Sequence, residues 1–140
     1  MTIVIYHNPN CGTSRNVLAF IRAAGEEPVA VDYLETGWTR PQLIGLFAAA
    51  GLTAREALRI DRSPAEELGV CDATVDENAL LDAMVEHPIL VNRPLVCSPN
   101  GVRLCRPSET VLDLLDQLPP GPLVKEDGEM VMDKNGKRLA

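Results

Sequence analysis

The sequence predicts an α/β protein, a mixed sheet whose opening strand–helix–strand unit is separated from a closing β-hairpin by a helical insertion. Three observations predict it. Residues 2–6 (Thr-Ile-Val-Ile-Tyr) are β-branched and aromatic, and Val17, Phe20, Ile21 and Ala24 then recur at helical spacing. Four S/T-x-x-E/Q patterns, the signature of a helix start, crowd the stretch from Thr39 to Glu77. Two short apolar runs either side of Pro99-Asn100-Gly101 then bring the sheet back.

The elements follow in order. Thr2 to Tyr6 forms a strand, turn formers follow it, and the first helix runs until Gly25 stops it. Pro28 to Tyr33 (Pro-Val-Ala-Val-Asp-Tyr) reads as a second strand, which makes a βαβ unit with a right-handed crossover. The four capping boxes are Thr39…Gln42, Thr53…Glu56, Ser63…Glu66 and Thr74…Glu77, with Pro64 at a favoured first helical position. A helix from about Pro41 carries Leu43, Leu46, Phe47 and Ala50 on one face and ends at Gly51. Another, near Val75 to Glu86, carries Leu80, Leu81, Met84 and Val85. Residues 40–86 are therefore expected to be the insertion. Ile89-Leu90-Val91 reads as a return to sheet, and Leu95 to Cys97 with Val102 to Cys105 as a hairpin. Arg106-Pro107-Ser108-Glu109 opens a last helix with Val111, Leu112, Leu114, Leu115 and Leu118 apolar, closed by Pro119-Pro120-Gly121-Pro122. The polar tail, residues 123–140, either turns back at Asn135-Gly136 or frays. The whole, 1–140, is expected to be one domain.

Composition narrows the function. Charged residues are 24% and hydrophobic residues 46%, ordinary for a soluble globular protein. No apolar run approaches the ~18 residues of a membrane span, and the start of the chain enters a strand with no leader-like segment. No membrane association and a cytoplasmic location are expected. The net charge of −7 argues against nucleic acid as a partner. Within that acidic total the cations are ten arginines and three lysines, all three lysines falling in the last sixteen residues. Arginine's planar fork grips tetrahedral oxyanions in pairs of hydrogen bonds; a GC-rich coding sequence produces the same bias.

The four cysteines (Cys11, Cys71, Cys97, Cys105) have neither C-x-x-C nor zinc spacing, so neither a disulfide framework nor a metal site is expected. If Asn100-Gly101 forms a two-residue turn, Cys97 opposes Leu104, Cys105 opposes Val96, and the two thiols face opposite sides of the sheet. Cys71, Cys97 and Cys105 read as small buried hydrophobes. Cys11 differs. It stands where the first strand ends and the first helix begins, in Tyr6-His7-Asn8-Pro9-Asn10-Cys11-Gly12-Thr13-Ser14-Arg15. Unpaired backbone N–H groups and the positive end of the helix dipole favour an anion there, so this thiol should ionise below the ~8.5 of a free cysteine. The same N–H groups, at Gly12 and Thr13, suit a tetrahedral oxyanion. A Cys-x5-Arg phosphate loop would need arginine where Val17 stands, and a C-x-x-C dithiol would need cysteine where Ser14 stands. What remains is a single thiol, able to attack an electrophile but needing an external thiol to complete a two-electron reduction. Arg93 and Arg106 close neighbouring strand segments and can converge on it; the alternative is that they make surface ion pairs. His7 either caps a turn or, as a cation, lowers the thiol pKa.

Without the insertion, the element order is the thioredoxin/glutaredoxin layout, in which a cis-proline faces the nucleophile; Arg93-Pro94 stands in that place. His-Asn-Pro-x-Cys-Gly-Thr-Ser-Arg, Ile-Leu-Val-Asn-Arg-Pro and Arg-Leu-Cys-Arg-Pro-Ser-Glu together resemble the glutaredoxin-coupled arsenate reductases, the ArsC family, over essentially the whole chain, including Lys125-Glu126-Asp127-Gly128-Glu129. The resemblance implies that Cys11 attacks arsenate, that Arg59, Arg93 and Arg106 cradle it, that His7 and Ser14 support the thiolate, and that Pro94 is the active-site cis-proline. It implies glutathione as co-substrate, glutaredoxin as partner, and no metal or bound organic cofactor. The stretch after Arg59 (Ile60-Asp61-Arg62-Ser63-Pro64-Ala65) departs from the family pattern in lacking the basic and aromatic residues expected there, and Arg62 competes with Arg59 for the same role. Two other functions fit the fold. One is a thiol-transfer protein of glutaredoxin type; the other is an RNA polymerase-binding redox regulator, whose usual C-x-x-C switch Ser14 rules out.

Overall fold

Alternation along the first strand decides where the core lies. Ile3 and Ile5 are sealed from solvent while Val4 and Tyr6, which alternate with them, are only partly covered, so one face of the sheet is committed to the interior. The computed structural model describes residues 1–139 and resolves two compact units. The first comprises Met1–Asp32 and the chain from Arg93 onward; the second is Tyr33–Asn92.

In the first unit, β1 (Val4–His7), β2 (Val29–Asp32), β3 (Leu95–Ser98) and β4 (Gly101–Leu104) form a four-stranded sheet in the order β2-β1-β3-β4. β1 and β2 are parallel, with His7 opposite Asp32, and the remaining pairs are antiparallel. This is the expected mixed sheet. Between β1 and β2 lies α1 (Gly12–Ala23), whose Val17, Phe20 and Ile21 pack on Ile3, Ile5, Val96 and Cys105. Each such apolar side chain taken out of water contributes about 1.5–3 kcal/mol before ordering costs.

Two expectations change here, and one left open is decided. The hairpin turns at Pro99-Asn100, so Cys97 pairs with Val102 and Leu95 with Leu104. Asn100 is anchored, its N–H donating to Ser98 Oγ (3.0 Å) and its Nδ2 to the Leu114 carbonyl (3.1 Å). Because the register moves by two residues, Cys97 and Cys105 stay on opposite faces. The last helix is a 3-10 helix, Ser108–Leu114, rather than an α-helix reaching Leu118. Three residues per turn align Ser108, Val111 and Leu114 in one row, and all three are buried. The tail does not fray. β5 (Leu123–Val124) and β6 (Met130–Met132) pair antiparallel, and Leu123, Val131 and Met132 enter the core. A second turn, at Asp133 to Lys137, brings Arg138 back to Met132, so Asn135-Gly136 does turn the chain.

The second unit is helical and loop-rich, with α2 (Tyr33–Thr36), α3 (Arg40–Ala50) and α4 (Glu77–Glu86). Thr39 and Gln42 close a complete capping box on α3, Pro41 lies in its first turn, and Gly51 ends it in the left-handed region at φ 69°. The Thr53…Glu56 box also forms, with N–H bonds of 3.0 and 3.1 Å in each direction, but it starts a turn rather than a helix. α4 is capped by Asp76, not Thr74, which instead bonds Asp72. Ile89 and Leu90 lie in a 3-10 turn, Pro88–Leu90, rather than a strand. Pro88 presets a helical φ at its first position, and only Val91 pairs, bridging to Leu58. Tyr33 and Trp38 stack with centroids 5.0 Å apart, and the Tyr33 hydroxyl donates to the Val91 carbonyl at 2.9 Å.

Candidate active site

The loop from Asn8 to Cys11 is built to end a strand and start a helix at the sulfur. Asn8 is buried and works twice. Its Oδ1 accepts from the Asn10 N–H at 2.9 Å, and its N–H donates to Ser14 Oγ at 3.3 Å. Its carbonyl accepts from the Cys11 N–H at 2.9 Å, and Cys11 then takes an extended backbone as the N-cap of α1. The turn-forming Asn8-Pro9-Asn10 is visible in the sequence, but that Asn8 holds both the loop and Ser14 is not.

The Cys11 sulfur makes no standard capping hydrogen bond; it sits where several groups stabilise negative charge. Burial opposes ionisation, and the residue is only 9% exposed. Against that, the Ser14 N–H, the Arg93 guanidinium (by hydrogen bond and by charge) and the Ser14 hydroxyl bring the thiol down to about 6. Arg106 Nη1 stands 3.8 Å from Sγ, at the outer reach of an N–H···S contact, and donates to the Arg93 carbonyl at 3.1 Å. Arg93 itself is 5% exposed and is followed by a cis peptide to Pro94. Cys11, Ser14, Arg93 and Arg106 are thus assembled from three separate stretches of chain, with Pro94 next to Arg93 in sequence and Gly12 and Thr13 in the first turn of α1.

His7 ends β1. Burial lowers its pKa, with Arg22 acting in the same direction and Asp32 against, so the ring is neutral near pH 7 and lends the thiolate no full positive charge. Arg59 belongs to the second unit, where its Nε donates to the Asp61 carbonyl at 2.8 Å and its N–H to the Leu90 carbonyl at 2.7 Å. The other thiols are unlike Cys11. Burial pushes Cys105 up to about 12, burial also raises Cys97, and all four cysteines are free.

A low-pKa thiolate flanked by two guanidinium groups can attack an electrophilic centre that carries negatively charged oxygens, because the arginines offset the repulsion between the two anions. The sequence model of the ArsC family matches residues 6–114. The chain is 64% identical over 137 residues to the arsenate reductase ArsI2 of Synechocystis sp., covering 98% of each. It is 57% identical over 139 residues to an arsenate reductase of Rhizobium meliloti, covering 99% of each. Among solved structures it is similar to an arsenate reductase from Vibrio cholerae, with a TM-score of 0.78 and 39% identity over 82% of this chain and 98% of that one.

Proposed function

The chain belongs to the ArsC family and has its thioredoxin-like fold, and from that premise we propose that it is an arsenate reductase acting through a covalent adduct on Cys11. One observation carries the reading: a thiol brought to about 6 has Arg106 Nη1 3.8 Å from its sulfur and Arg93 acting on its charge. At neutral pH the nucleophile is already an anion, so no general base is required.

In the proposed sequence HAsO4²⁻ is held by Arg93, Arg106 and the N–H groups at Gly12 and Thr13, with Arg59 a third arginine on resemblance alone. The Cys11 thiolate attacks arsenic, a S–As bond forms, and an oxygen leaves as water after protonation. Glutathione then attacks the adduct. Two electrons pass from the two sulfurs to arsenic as a S–S bond forms, arsenic falls from As(V) to As(III), and arsenite departs. Glutaredoxin resolves the mixed disulfide on Cys11. The sequence calls for no metal and no bound organic cofactor, and its setting is the cytoplasm, where glutathione keeps thiols reduced.

The test is coupled NADPH oxidation with glutathione, glutaredoxin and glutathione reductase. Consumption that depends on arsenate, and is lost in Cys11→Ser but not in Cys71→Ser or Cys97→Ser, supports the proposal. Turnover of a mixed disulfide substrate with both arsenate and glutaredoxin left out would instead favour a thiol-transfer protein. Replacing Arg106 with Met should raise KM for arsenate at least ~10-fold, since it removes a charge-assisted contact worth about 1.5–3 kcal/mol.

A further inference from the structure

The β5–β6 hairpin lies beyond the residues matched by the family model, and none of its side chains enters the proposed chemistry. Even so, two consecutive side chains at its turn reach two of the three segments that bear the site. Glu126 takes Arg15 by paired hydrogen bonds, Nε to Oε1 at 2.7 Å and Nη2 to Oε2 at 3.0 Å. The third nitrogen of the same guanidinium, Nη1, donates to the Pro9 carbonyl at 2.9 Å. One planar fork thus joins the hairpin to the loop two residues ahead of Cys11. The Glu126 N–H donates to Asn16 Oδ1 at 3.0 Å, and its carboxylate lies over Gly12, where a Cβ would stand 3.6 Å from Oε2.

Lys125 points the other way. Its ammonium, on a side chain 12% exposed, lies 2.9 Å from Glu109 and 3.1 Å from Glu129. Glu109 sits in the first turn of the 3-10 helix that follows Arg106. The turn is held internally, with the Lys125 N–H donating to the Glu129 carbonyl at 2.8 Å and the Gly128 N–H to the Lys125 carbonyl at 2.9 Å. Exposed ion pairs contribute little to stability, about 0–1 kcal/mol. A bidentate fork that also grips a backbone carbonyl does something different: it fixes geometry.

We propose that this turn is a clasp for the thiol site, in which Glu126 is a positioning residue that grips Arg15 and so holds the Pro9–Cys11 loop on the first turn of α1, while Lys125 holds the segment after Arg106. The clasp goes beyond the reduction chemistry, and it stands whatever oxyanion the site takes.

Charge and geometry predict opposite signs, which makes the clasp testable on the full-length protein. Deleting a carboxylate beside a thiolate, if only its charge matters, lowers the thiol pKa. Releasing the loop raises it, because the Ser14 N–H and Arg93 lose their alignment with the sulfur. The readout is the pH midpoint of Cys11 alkylation by iodoacetamide, measured by peptide mass spectrometry. Glu126→Ala should raise the midpoint by about one pH unit. Glu126→Gln, whose amide oxygen still accepts from Arg15 Nε, should raise it less, and it serves alone if the alanine variant does not fold. Glu27→Gln, which removes the carboxylate paired with Arg22 at the far end of α1 and leaves the turn intact, should leave it unchanged. An unmoved or lowered midpoint in the Glu126 variants, or an equal rise in Glu27→Gln, overturns the proposal. Failure of the arsenate reading would show separately, as a wild-type protein that consumes no NADPH with arsenate.

Discussion

Acidifying the medium should separate Cys11 from every ordinary thiol. Burial works against its ionisation, but the Ser14 N–H and Arg93 bring it to about 6, so at that pH half of it is thiolate. An ordinary thiol near 8.5 is then only about 0.3% ionised, a difference of ~150-fold. Lower basicity also makes a weaker nucleophile. With a Brønsted slope of about 0.45, the ~2.5-unit difference removes about 13-fold, leaving a net advantage of about 10-fold. The advantage therefore shrinks as pH rises, vanishes near about pH 7.4, and becomes a ~10-fold disadvantage once both thiols are ionised. The assay is iodoacetamide labelling across roughly pH 5 to 10, followed for each cysteine separately by peptide mass spectrometry, with a short unstructured cysteine peptide as reference. Limited access to the sulfur lowers the absolute rate of Cys11 without moving its midpoint, so the midpoint is the decisive quantity. A value at or above about 8.5 would refute the electrostatic reasoning on which the site depends.

Two further outcomes follow from the interior. A Cβ on Gly121 would run into the Asp133 carbonyl, so Gly121→Ala should cost about 1–3 kcal/mol and lower Tm by at least about 3 °C in calorimetry; an unchanged Tm would show that the base of the tail yields freely. Cys105 gives an alkaline signature. Burial pushes it up to about 12, whereas in the unfolded chain it ionises from about 8.5. Between those values unfolding releases a proton, so stability falls as pH rises, by at most about 1.4 kcal/mol per pH unit. Cys105→Ala loses core contacts but also that slope, and Cys11 is common to both proteins. The gap between their urea midpoints should therefore narrow from about pH 8 to about pH 10, and a constant gap would contradict the assignment.

Local signals carried the elements that local chemistry determines. Thr39…Gln42 with Gly51 marks α3 because cap and stop are both written within the helix. Cys11 was legible for the same reason, since strand, turn and helix meet there in one short stretch. Where tertiary contacts decide, the sequence misleads. Ile89-Leu90-Val91 has a strand's composition, but Pro88 and the bond from the Leu90 N–H to the His87 carbonyl at 3.0 Å close a 3-10 turn instead. Asn100-Gly101 is the stronger turn pair, yet the anchoring of Asn100 to Ser98 and Leu114 places the turn one residue earlier. At the site, Arg93 and Arg106 could be matched to the thiol through motif resemblance, whereas the grip of Glu126 on Arg15 spans 111 residues and leaves no periodic or spacing signal.

The first unit is discontinuous: the stretch holding Cys11 and the stretch holding Arg93 and Arg106 are separated by the whole of Tyr33–Asn92. During synthesis the sulfur leaves the ribosome early and its guanidinium partners late, and the core they share closes only when Leu123, Val131 and Met132 arrive from β5 and β6. The contribution of the Ser14 N–H to the acidity of Cys11 is thus local to the first turn of α1, whereas the contribution of Arg93 and the approach of Arg106 wait until the whole insertion has been made.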